Sequence, residues 1–152
     1  MSMSDREYDF LMFYIKQTWD EMRHIEQLRA TVSSLIIALA TLIAGFVVQQ
    51  GFTDATIIMS VFLIVLGIFG AVMVRKLYQL HQFGQERLNE WYAYLKENIP
   101  NSEVFKRRDI ADSVHQKKFS IFSQIPHNYF WFALHLFISL GGVVTLVLTL
   151  LK

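Results

Sequence analysis

Three stretches of this chain carry no Asp, Glu, Lys or Arg: Ala30 to Thr53, Ala55 to Val74 and Phe119 to Leu151. A helix rises ~1.5 Å per residue, so roughly 20 apolar residues cross a hydrocarbon core ~30 Å thick. Each stretch supplies that length, and the spacing predicts spanning helices at 34–50, 55–74 and 130–151. The composition agrees: 53% of residues are hydrophobic and only 18% charged, too little charge for an ordinary soluble domain. About thirty polar and mixed residues precede the first stretch, and no small-residue cleavage site follows it, so it is not read as a secretory signal. With no cysteine, disulfides and thiolate metal sites are excluded. A net charge of +1 does not suit a chain built to coat nucleic acid.

Basic residues collect on the cytoplasmic side of spanning helices. Arg23 and Arg29 precede the first span, and Arg75 and Lys76 follow the second. The loop between them, QQGFTD, has only Asp54. Residues 75–127 hold nine Lys or Arg against six Asp or Glu. The expected topology is a multi-pass inner-membrane protein with its N-terminus in the cytoplasm and its C-terminus outside.

The polar flanks also have helical patterns. Ser4 followed by Glu7 fits a capping box. From there Tyr8, Leu11, Ile15, Trp19, Met22 and Ile25 recur at three- and four-residue steps, an apolar stripe on one helix face. The stretch MVRKLYQLHQFGQERLNEWYAYLKENI has a matching stripe at Leu77, Leu80, Gly84, Leu88, Trp91 and Leu95, and it ends before Pro100. The expected fold is an all-α membrane protein. Its three transmembrane helices form a single domain over 1–152, and the first two continue (4–32 and 75–99) as a long antiparallel cytoplasmic hairpin. Trp19, Met22, Leu88, Trp91 and Leu95 are the expected hairpin contacts. Within 100–127, SEVFKRRDIADSVHQKK reads as a short helix capped by Ser102, FSIFSQI as an interfacial segment and HNYFW as an aromatic belt.

Inside lipid, helices associate by close packing over small residues and by hydrogen bonds. Each span has such a line. In the first, Gln27, Thr31, Ser34, Ala38, Thr41, Gly45 and Gln49 are either a packing seam or the lining of an aqueous path. The second carries Ser60, Gly67 and Ala71, and the third His135, Ser139, Gly142, Thr145 and Thr149. Because His135 is ionisable and lies within a span, it is a candidate for proton handling; the plainer alternative is a neutral histidine bonded to Ser139 or to another helix. Glu21 and His24 have the E-x-x-H spacing of diiron bundles, but the second copy that such sites need is missing. Neither a phosphate-cradling glycine loop nor a nucleophile elbow occurs. Neither cofactor nor enzymatic activity is expected. Lys106, Arg107, Arg108, Lys117 and Lys118 form basic clusters suited to anionic lipid headgroups or an acidic partner.

The layout of Ser4 to Ile99, carried by IEQLRATVSSLIIALATLIAG and VRKLYQLHQFGQERLNEW, resembles the small bacterial membrane effectors of antiviral defence. These are the SLATT-type two-span proteins and the octameric helical membrane proteins encoded beside RNA-guided nucleases. The third span departs from the two-span pattern. The resemblance implies a homo-oligomer that forms a pore or perturbs the membrane when triggered through its cytoplasmic helices. The alternative is a non-conducting, membrane-anchored adaptor that docks a cytosolic partner on its helical hairpin. Expected partners are membrane lipids, further copies of the chain and, under the alternative, a cytosolic protein; nucleic acid is not among them.

Overall fold

The computed structural model describes residues 3–99, 102–118 and 128–152. These form α1 (Asp5–Gln50), α2 (Asp54–Asn98), α3 (Glu103–Lys118) and α4 (Asn128–Leu150), with no strand among the described residues. Three of them, α1, α2 and α4, are long and apolar enough to cross a membrane. The expected interfacial segment FSIFSQI lies outside the described residues.

Helix ends follow their local chemistry. The Glu7 amide donates to Ser4 Oγ at 3.3 Å, satisfying one of the first-turn N–H groups that a helix leaves unpaired. Then α1 runs 46 residues, about 69 Å at the usual rise. It stops at Gly51, whose φ of 68° is the left-handed conformation that ends helices and that side chains with a Cβ disfavour. The Gly51 amide reaches back to the Val47 carbonyl. Thr56 closes the turn: its hydroxyl donates to the Gly51 carbonyl at 2.6 Å and accepts from the Thr53 amide at 3.2 Å.

The chain gathers into two compact units, and α1 and α2 each contribute to both. The first holds Met1–His24 and Leu80–Pro126. Its core is Leu11, Ile15, Met22, Leu88 and Leu95, with Trp91, Tyr92 and Phe105 packed against it. Fully burying a leucine such as Leu88 is worth about 1.5–3 kcal/mol. Polar contacts run along the edges of this core. Tyr94 Oη donates to Glu7 at 2.8 Å, Trp19 Nε1 donates to Tyr92 Oη at 3.1 Å, and Arg87 lies 3.7 Å from Glu21. Glu7 pairs near the end of α2 and Glu21 nearer its middle. A Cβ on Gly84 would come 2.7 Å from Met22 Cγ, so this glycine makes room for the methionine. Against α2, α3 is held by Lys96–Asp109 at 2.8 Å and by the Arg108 guanidinium 4.4 Å above the Tyr92 ring.

The second unit holds Ile25–Gln79 and His127–Lys152. Here α4 lies on α2 at backbone distance. A Cβ on Gly67 would fall 2.5 Å from the Ser139 amide nitrogen and 2.7 Å from the His135 carbonyl, and one on Gly142 would fall 2.8 Å from the Ser60 carbonyl. Such approach over glycine is how helices gain contact in lipid. Ile36, Ala40, Leu63, Ala71, Val74 and Leu77 complete the buried apolar set.

Candidate functional site: an inner seam and an outer stripe

The polar residues of the spanning helices divide into two groups. The inner group is buried: Ser33 of α1, Thr56 and Ser60 of α2, and His135 and Ser139 of α4. Ser60 donates to the Thr56 carbonyl at 2.8 Å. His135 is fully buried; its Nε2 lies 3.1 Å from Ser33 Oγ, and its ring covers Gly70, where a Cβ would strike Nδ1. The histidine therefore pins α4 to α1 while resting on α2, and this needs a residue without a side chain at position 70. Its Nδ1 has no hydrogen-bond partner among the described residues. Of the two tautomers, the one protonated on Nε2 leaves only an unpaired acceptor there, which costs less than an unpaired N–H. Of the two expected partners, Ser139 or a residue of another helix, the structure has the second, Ser33 of α1, and nothing in the Ser33 spacing singled it out.

Arg29 lies one turn before Ser33 and is only 5% exposed. It pairs with Glu26 and stands 5.9 Å over the Trp131 ring. Its charge suggested a residue at the membrane surface; pairing and cation–π contact offset the cost of burying it.

The second-span and third-span lines fall largely within this inner group. Gly67 meets His135 and Ser139, Gly142 meets Ser60, and Ala71 is buried, while Thr145 and Thr149 are half-buried and donate to carbonyls of their own helix. The first-span line does not. Gln27, Thr31, Ser34, Ala38, Thr41, Gly45 and Gln49 are all exposed, roughly 150° around α1 from Ser33, Ile36 and Ala40 at 100° per residue. A Cβ on Gly45 would meet nothing within 4 Å. Within one chain, this stripe is not where helices touch.

Met22, Leu88 and Leu95 are buried, Trp91 is half-buried and Trp19 lies at the exposed edge. Glu21 accepts from Gln17 at 3.0 Å and faces Arg87. On α3, Lys106 pairs with Glu103 and Arg108 with Asp112, while Arg107, Lys117 and Lys118 are exposed. The sequence pattern did not single out a band of aromatic and cationic groups in the first unit. Phe13 touches Tyr14 and Tyr14 touches Trp91, both at 5.8 Å between ring centroids. Arg87 then lies 5.1 Å over Trp91 and 5.6 Å over Phe83. Phe10, Phe13 and Phe83 remain 60%, 61% and 58% exposed. No protein-family model, no curated protein and no solved structure matches this chain.

Proposed function

We propose that this is a homo-oligomeric membrane protein whose subunits set the exposed stripe of α1 around a shared path, so that assembly permeabilises the membrane. One observation carries the reading: Gln27, Thr31, Ser34, Ala38, Thr41, Gly45 and Gln49 all point out of their own chain. Side chains of this kind facing lipid gain nothing from it; they gain from water or from a neighbouring helix. Three spans cannot enclose a channel alone, so the path needs several copies. The stripe carries no charge, which suits a weakly selective path or one closed by an apolar constriction. In this proposal the first unit is an antiparallel hairpin in the cytoplasm, the N-terminus is inside and the C-terminus outside. A trigger reaching the hairpin is transmitted along α1 and α2. Antiviral defence, the setting implied by the resemblance, belongs to the same proposal.

The test has two parts. The detergent-solubilised complex should contain several copies by mass photometry, and the protein in liposomes should release a trapped dye. Thr41→Leu and Gly45→Leu should abolish release while assembly persists. A monomer, or liposomes that never leak, would overturn the reading.

The aromatic band favours a second reading, a non-conducting adaptor. Exposed Phe10, Phe13 and Phe83 would then receive a cytosolic protein, with the spans as anchor. Under this reading Phe13→Glu releases a co-purifying protein from a complex that never leaks.

A further inference from the structure

In the second unit, α1 and α4 meet at Ser33 and His135 but leave a groove farther along. Its walls are Ala40, Thr41 and Ala44 of α1 and Gly141 and Thr145 of α4, its floor is Leu63 of α2, and its volume is about 460 Å³. The groove has no charged residue among its lining. Its two hydroxyls are turned away: Thr41 donates to the Ile37 carbonyl and Thr145 to the Gly141 carbonyl, each at 2.8 Å. The surface facing the groove is mainly apolar, aliphatic side chains together with the rings of Phe52 and Phe137.

We propose that this groove binds an acyl tail of a membrane phospholipid. The charge match is of neutral wall to neutral chain. A second copy's helix is the rival occupant, and size argues against it. The groove follows α1 from Ile37 to Val48, roughly 18 Å, and a helix of that length and ~10 Å diameter has a volume of about 1400 Å³, so it could rest on the groove but not lie within it. The tail is thin and flexible enough to enter. It would occupy the side of α1 next to the outward stripe, with Thr41 belonging to both. The inference rests on the three helices lying in a bilayer and does not depend on conduction.

To test it, the full chain is reconstituted into phosphatidylethanolamine–phosphatidylglycerol vesicles doped with a phospholipid carrying a diazirine in its tail. After illumination, adducts are mapped by mass spectrometry. They should concentrate on groove residues over Leu42 and Val65, which are exposed outside it. Gly141→Leu should cut the groove adducts about tenfold, the effect of displacing two buried methylenes. A Cβ at this glycine meets nothing within 4 Å, so the fold should survive; Ala44→Phe provides an independent block. Gly45→Leu, outside the lining, should leave labelling unchanged. Even labelling over all exposed faces, or groove labelling that survives both blocks, would overturn the proposal. So would a disulfide-linked dimer formed by Ala44→Cys in a chain that otherwise has no cysteine. Each result is read without reference to dye release.

Discussion

A single methyl group should have different consequences at three glycines. On Gly67 it would meet the backbone of α4, at the Ser139 nitrogen and the His135 carbonyl, and backbone cannot turn aside. Gly67→Ala should cost about 1–3 kcal/mol and lower the apparent Tm in detergent by several degrees. Gly141→Ala, in open space, should leave Tm unchanged. At Gly84 the obstacle is Met22 Cγ, the middle of a flexible side chain, so Gly84→Ala should fall between the two. Equal Tm values for all three variants would contradict the packing described. Tyr94 makes a pH-dependent contribution. Its hydrogen bond to Glu7, with the glutamate charge and some desolvation, holds its pKa above the usual value of 10.0. The neutral phenol is favoured on folding, so this contribution is fully present below the unfolded pKa and disappears as pH rises through the higher folded one. Tyr94→Phe should remove that alkaline component from a Tm-versus-pH curve and leave the neutral region nearly flat. At this scale the sequence was only partly legible. Gly67 and Gly142 stood out as small residues in apolar helices. Ser33 and Gly70 did not, and Arg29 stood out only as a charge beside the membrane, because a helix that is apolar all round gives no contrast to show which face turns inward.

The long helices are legible because their causes are local. Ser4 and Glu7 mark the start of α1, Gly51 marks its end, and the apolar stripes at three- and four-residue steps run between, so the Ser4 half of the capping box and the long continuous helix are both present, while the Glu7 carboxylate accepts from Tyr94. The third helix is different. Its sixteen residues mix both charge signs, and its contacts to α2 include Lys96–Asp109, Arg108 over Tyr92 and the packing of Phe105. Exposed ion pairs contribute about 1 kcal/mol or less, so α3 should open far more readily than α1 or α2. Hydrogen exchange should therefore be fastest in Glu103–Lys118 among the described helices. Asp109→Lys, which places like charges together at Lys96, should speed it further without changing exchange in Asp5–Gln50. Protection of α3 equal to that of α1 would show that something other than these contacts holds it.

At the scale of the molecule, the question is what covers the aromatic band of the first unit. Phe10, Phe13, Tyr14 and Phe83 leave roughly 450 Å² of ring surface uncovered, taking ~200 Å² for each whole side chain. That is as large as the biggest apolar patch on a typical monomer and about half of the ~800 Å² that each partner gives to a stable interface. Arg6 and Asp9 flank Phe10 and Phe13 around a hollow of about 390 Å³. One patch with both charge signs can meet its own image, the arginine of one copy facing the aspartate of another. Copies of the chain are therefore the expected cover. Phe10→Glu with Phe13→Glu should shift mass photometry of the solubilised protein from an assembly to single chains, while helix content stays constant because neither ring is in the core. Exchanging the charges in one variant, Arg6→Asp with Asp9→Arg, should preserve assembly with itself and weaken mixing with the original chain. If the double glutamate variant still assembles but loses a co-purified cytosolic protein, the band is a docking surface and the adaptor reading prevails. If it assembles and loses nothing, contacts between copies lie in the spanning helices alone, with the outward stripe of α1 as the remaining candidate.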